Sequence, residues 1–181
     1  MTTFANRILQ AARLNAAVYE EVEADRTAMG QALGVVVLAS LAAGIGSMGQ
    51  VGVGLGGLLM GTFTALLGWA AWAALIYLIG TRLLPEPQTK ADYGELLRTI
   101  GFASAPGLIR ILGIVPVLMG IVFSAACIWM LVATVVAVRQ ALDYRSTARA
   151  VGVCLIGWLV QALIIALVLS VSGVRAPEGV G

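Results

Sequence analysis

The 181-residue sequence has no histidine, only two cysteines and few charges, with aspartate, glutamate, lysine and arginine together making up 11% of it. Each shortage removes a class of function. Without histidine, the commonest general acid–base, the commonest metal ligand and the usual axial ligand of haem are gone, so no catalytic centre, metal site or cofactor is expected. A net charge of +2 with no basic run excludes nucleic-acid binding. The two cysteines, Cys127 and Cys154, fall in apolar runs, where a thiol is expected to pack as a small hydrophobe. A cleavable leader is not expected either. Arginines and a cluster of acids occupy the opening segment, where a leader would have a greasy centre, so the first apolar run is expected to stay in the mature chain.

What the sequence has in abundance is apolar residues: 60% of the chain is hydrophobic and the mean hydropathy is +0.99, far outside the range of a soluble domain. The chain therefore reads as an all-α integral membrane protein. A span needs about 20 apolar residues. Between Arg26 and Arg82 no side chain is formally charged, which gives room for two spans, near Ala32–Ser47 and Leu58–Ile79. From Thr99 to Val138 the only charge is Arg110, and Pro106 and Pro116 interrupt the run. Each proline removes a backbone donor and clashes with the preceding turn, so two spans with a reversal around Val115 to Gly120 are expected, not one long rod. Arg149 to Arg175 encloses one more. The expected fold is a five-helix transmembrane bundle over residues 30–173, preceded by an amphipathic cytoplasmic helix over 1–29 and followed by a short tail, 174–181.

Phe4 to Ala28 repeats its apolar residues at helical spacing, with Thr3 as N-cap and Arg7, Arg13, Glu20 and Glu21 on the other face, as in a helix lying at a membrane surface. The cluster Glu20, Glu21, Glu23 and Asp25 lacks the turn and ligand alternation of a calcium loop and reads as a solvated face. The glycine-rich stretch Gly44–Gly57 contains Gly52, Gly54 and Gly57 at a dinucleotide-site spacing, but no strand precedes it and the next acid is Glu86. Gly30/Gly34, Gly52/Gly56 and Gly57/Gly61 have the spacing that lets membrane helices touch backbone to backbone. Thr81–Arg98, with Pro85 and Pro87, reads as the main water-facing loop, and Arg139–Arg149 as a second.

The distribution of basic residues tests this count. With the N-terminus in the cytoplasm, Arg7, Arg13, Arg26, Arg82, Lys90, Arg98, Arg139, Arg145 and Arg149 all fall inside and only Arg175 outside, the bias expected of a multi-pass inner-membrane protein. Four spans would put the last three of the inside set on the wrong face. All four tyrosines, Tyr19, Tyr77, Tyr93 and Tyr144, lie near the cytoplasmic boundary, whereas Trp69, Trp72 and Trp129 lie within spans and are expected to pack between helices. Arg110 is the one charge held deep in an apolar run, and no acid of the chain lies in a span to neutralise it. It must either snorkel to outer-leaflet headgroups or meet a protein partner or polar cavity beside the breaks at Pro106 and Pro116.

The segment Tyr93-Gly-Glu-Leu-Leu-Arg98, then Phe102-Ala-Ser-Ala-Pro106, Pro116, Ile128-Trp129 and Arg145-Ser-Thr-Ala-Arg-Ala150 resembles the Yip family of Ypt/Rab-interacting membrane proteins in its short prokaryotic form. The resemblance implies a bacterial inner-membrane adaptor or organiser that is not an enzyme. Its eukaryotic members are linked to small GTPases and vesicle traffic, but no counterpart of the long soluble N-terminal region of many of them is expected from the short amphipathic start Phe4 to Ala28. Partners would be membrane lipids and other integral membrane proteins, as a homo-oligomer or a larger complex. The candidate lipid- or partner-contact residues are Arg110, Tyr93, Pro106, Pro116 and Trp129. An accessory subunit of a respiratory or photosynthetic complex is the main alternative, and a small transporter or channel a weaker one, since no inverted repeat is evident.

Overall fold

The computed structural model describes residues 3–51 and 54–171, all of whose regular elements are helices. Two short helices, α1 (Phe4–Ala12) and α2 (Ala16–Ala24), lead into α3 (Met29–Val51), α4 (Leu55–Leu78), α5 (Tyr93–Phe102), α6 (Pro116–Ala141) and α7 (Thr147–Val171). Among the described residues, five segments are long and apolar enough to cross a membrane: Arg26–Met48, Leu55–Leu83, Tyr93–Ile114, Pro116–Ala141 and Thr147–Val168. The expected tail, 174–181, and Arg175 lie outside the described residues, as does Gly52 of the Gly52/Gly56 pair.

The third span is the axis of the bundle. It packs on α3, α4 and α6 and is the most buried of the five, whereas α4, α6 and α7 turn Leu59, Met60, Phe63, Val117, Ile121, Leu159 and Leu163 outward. Helices apolar all round and exposed on one side are what a lipid environment requires. The span is built in two halves. Asp92 and Glu95 form a capping box that starts α5: the Asp92 carboxylate accepts from the Glu95 N–H at 2.8 Å and the Glu95 carboxylate from the Asp92 N–H at 2.7 Å. This box starts the helix at Tyr93, inside what the sequence suggested was a loop. The second half, Ala105–Ile114, is a ten-residue 3-10 helix with Pro106 in its first turn. Runs beyond three or four residues are uncommon in this form. Here small residues press the segment against its neighbours. A Cβ at Gly46 of α3 would collide with the Arg110 carbonyl, and one on Gly107 would lie 2.9 Å from the Met130 sulfur of α6. The reversal is at Val115, tighter than the expected Val115–Gly120, because Pro116 opens α6 directly.

Other expectations are corrected. The N-terminal segment is two helices and not one. Leu14 adopts φ 61° and Asn15 caps α2 by accepting from the Ala17 N–H, while Thr3 caps α1 as anticipated. Ala11, Val18, Tyr19 and Val22, the apolar face expected to rest on lipid, instead join Ala32, Val35, Phe102, Ala133 and Ala137 in one core. A Cβ on Gly30, Gly56 or Gly61 would meet nothing within 4 Å, whereas one on Gly46, Gly101 or Gly113 would run into the backbone of a neighbouring segment, so the close approaches lie at these three and not at Gly30, Gly56 or Gly61. Cys154 is buried as expected, but Cys127 faces outward on α6.

Candidate functional site

The two ends of the bundle differ in chemistry. At one end lie α1, α2, the 84–92 connection and the 142–146 turn. Gln88 donates to the Asp143 carbonyl at 3.1 Å, and Arg149 pairs with Glu86 at 3.3 Å. Arg7, expected on a solvated face, is buried. It bridges Glu21 at 2.9 Å and Asp25 at 2.8 Å, and donates to Gln31 at 3.0 Å. Thr27 and then Arg7 hold the Asp25 carboxyl down at about 2. Arg98, expected in a loop, is also buried and donates from Nε to the Val22 carbonyl at 2.9 Å and, with Nη2, to that of Glu23. These carbonyls belong to the last turn of α2, whose free oxygens favour a cation.

Tyrosines that the sequence placed at the lipid interface serve as clasps. Tyr19 is fully buried with its hydroxyl on the Ala11 carbonyl at 3.1 Å, and burial raises its pKa. The Tyr144 hydroxyl is shared between the carbonyls of Gly80 at 2.9 Å and Leu84 at 2.7 Å, where α4 widens into a π-turn over Ile79–Leu83; burial pushes its pKa up to about 12. Beside Tyr144 lies a 430 Å³ cavity walled in part by Glu20, Glu23, Arg139, Asp143 and Arg145. Burial first, then Asp143, Glu95 and Glu20, lift the Glu23 carboxyl to about 7 against the pull of Arg98.

Deeper in the bundle the polar chemistry centres on Arg110. Its guanidinium carbon lies 5.6 Å from the Phe123 ring centroid, and its buried Nε has no hydrogen-bond partner. Among the described residues its side chain makes no ion pair. Arg110 is common to the walls of two cavities. One, of 310 Å³, is bounded by Ser40, Ala65, Trp72, Ser104, Thr134 and Gln161; the other, of 400 Å³, by Ser40, Ser47, Leu58, Ala65 and Phe123. The side chain thus faces the bundle interior, between α3, α4 and α6.

The remaining candidates do not converge on Arg110. Pro106 shares its 3-10 segment and is buried in the packing, and Pro116 only opens α6. Tyr93 is at the charged end, its hydroxyl on the Ala70 carbonyl at 2.9 Å. Trp129 is 37% exposed on α6 and ties α1 down by donating to the Ala12 carbonyl at 2.7 Å. Trp69 and Trp72 do pack between helices: Trp69 donates to the Leu97 carbonyl at 3.0 Å, and Trp72 stacks on Trp158. Ser104 and Gln161 escaped sequence reading. Gln161, a lone amide in the apolar run of α7, was the one available signal. Among the described residues no group of three potential metal ligands comes together.

The model of the Yip1 domain matches residues 15–169. The chain belongs to the Yip1 family. The Yip1 match begins at the break between α1 and α2, so it takes in α2 and all five spans and leaves α1 outside. No curated protein and no solved structure matches the chain. The Arg110 cavities and all of the charged end except α1 lie within the Yip1 domain, and Arg7 of α1 reaches it from outside by its pairs with Glu21 and Asp25.

Proposed function

We propose that this Yip1-family membrane protein is a non-enzymatic organiser or adaptor of a bacterial inner membrane, with its N-terminus and charged end in the cytoplasm. The observation that carries the reading is the one-sided charged end. Arg7 and Arg98 are spent on clasps, while Arg13, Arg26, Arg82 and Lys90 are exposed around them beside the acids Glu20, Asp92 and Asp143. A clasped surface of mixed charge at the membrane boundary suits contact with proteins or lipid headgroups, and among the described residues it offers no nucleophile–base pair to drive a reaction.

Blue-native electrophoresis of the tagged protein from its own membrane, under mild detergent, tests the role. A discrete species above the monomer supports an adaptor, and co-migration with large respiratory or photosynthetic subunits would favour the accessory-subunit reading instead. A lone monomer in every mild detergent would remove both. Topology is read separately. Reporter fusions at Gly181 and within 87–90 should report opposite faces of the membrane, and the same face for both would overturn the orientation.

A further inference from the structure

Arg110 is held in the apolar layer with no counter-charge among the described residues. The described acids Glu20, Glu21, Glu23, Asp25, Glu86, Asp92, Glu95 and Asp143 all lie at or near the charged end of the bundle, and no carboxylate lines either cavity beside Arg110. A guanidinium left so, with its Nε buried and unbonded, is costly. The cavities are roomy enough for a ligand, since binding pockets run from about 300 to 1,000 Å³. Unspent polar groups also line the space. Ser104 and Gln161 bound the 310 Å³ cavity and make no side-chain hydrogen bond among the described residues.

The form of the space defines the ligand further. Gly68, Trp72 and Gln161 belong both to the polar cavity and to a 480 Å³ groove between α4 and α7, whose remaining wall is Ala71, Ala74, Leu75, Leu78, Ile164 and Ile165. A chamber that holds Arg110 with a few hydroxyl and amide groups on largely apolar walls thus adjoins an almost wholly apolar trough on the face that meets the hydrocarbon. A free anion would satisfy Arg110 and leave the trough unused, and an acyl chain alone would do the reverse. A zwitterionic headgroup would bring a second cation for which the walls hold no carboxylate.

We infer that Arg110 and its cavities bind an anionic lipid, its phosphate or carboxylate oxygens on the guanidinium and a hydrocarbon chain in the α4–α7 groove. The site extends the organising role proposed above and does not depend on it. Arg110 supplies the charge and, by its planar fork, a bidentate match to two oxygens; Ser104 and Gln161 supply further donors, and Trp72 forms the wall between chamber and trough.

The test uses the full chain in a neutral detergent, titrated with dioleoylphosphatidylglycerol, dioleoylphosphatidylcholine or glycerol 3-phosphate, and read by native mass spectrometry and by the thermal midpoint. Phosphatidylglycerol should form discrete adducts and raise the midpoint, phosphatidylcholine should do so more weakly, and glycerol 3-phosphate not at all. Arg110→Leu, which removes an unpaired charge and so should fold, should weaken the phosphatidylglycerol affinity by roughly ten- to a hundredfold, the size of a lost charge-assisted pair. Arg110→Lys should fall between. Ala65→Leu, which narrows both cavities while leaving the arginine, should also weaken binding. Unchanged affinity in Arg110→Leu would overturn the site. An equal response to glycerol 3-phosphate would overturn the lipid assignment, and so would a polypeptide adduct, lost in Arg110→Leu, in place of lipid. Loss of the higher species on native gels with lipid binding intact would sink the organising role alone.

Discussion

The third span carries two arginines, and the two halves of the span treat them differently. On α5, Arg98 is buried against the end of α2, where two carbonyls accept its hydrogen bonds. On the 3-10 half, Arg110 is surrounded by glycine, serine and aromatic neighbours, and its Nε has no partner. The same residue type is a fastener in one half and an unspent charge in the other. Burial alone therefore does not tell what an arginine does; the acceptors within reach do.

The contrast can be broken most sharply at the fastener. Arg98→Leu strands the Val22 and Glu23 carbonyls and frees α2 from α5, so it should destabilise the folded protein by about 3 kcal/mol, whereas Arg110→Leu should be neutral or stabilising. Urea or SDS unfolding of both variants in detergent measures this, and equal losses would erase the distinction. Next comes Arg7→Leu, which leaves Asp25 and Glu21 facing each other without their cation; a loss of about 2 kcal/mol is expected in the same assay. Tyr144→Phe should cost about 1 kcal/mol, the usual net worth of one buried hydrogen bond, and should speed amide exchange in Ile79–Leu84 first. Trp129→Phe should cost still less overall and act on α1 only, since it retains the ring and loses the bond to Ala12; global destabilisation would mark Trp129 as core instead.

The smallest effect is pH-dependent. The Glu23 carboxyl titrates near 7 in the folded protein against about 4.5 when unfolded, so the folded state holds the proton more tightly. Its contribution to stability is therefore greatest below pH 4.5 and is lost as pH rises towards 7. Solvent screening of this half-buried group limits the change to less than about 1 kcal/mol. Asp25 has the opposite sign: its stability is present above about pH 4 and is lost as pH falls through 2. The protection of α2 amides relative to their intrinsic exchange rates should fall from pH 5 to 7.5, with Glu20, Glu95, Asp143, Arg98, Arg139 and Arg145 as the facing charges, and Glu23→Gln should flatten that fall.

The five spans were legible because span length and charge placement are local properties of sequence, and the reversal between spans three and four was legible because Pro116 can only start a helix. The start of α5 was equally legible in Asp92-Tyr-Gly-Glu95, yet the surrounding charges suggested a loop. Two kinds of feature were not legible. Leu14 in a left-handed conformation contradicts the preference of its type, so one amphipathic stretch was expected where there are two helices. The fates of Arg7, Arg98 and Tyr144 depend on partners far away in the chain, such as Arg98 with Val22 and Tyr144 with Gly80. Arg110 stood out as an anomaly from sequence alone, but the chamber around it is assembled from four other helices and from the glycines that let them close in.

The 3-10 winding of Ala105–Ile114 also makes this half of the span a screw. Relative to an α-helix, each residue in this form advances about 0.5 Å farther and turns about 20° more. Rewinding only the five residues from Pro106 to Arg110 would withdraw the guanidinium by about 2.5 Å and swing it by roughly 100° around the axis, away from Phe123. Anything that grips the arginine selects the stretched thread, and anything that shortens the thread retracts the arginine.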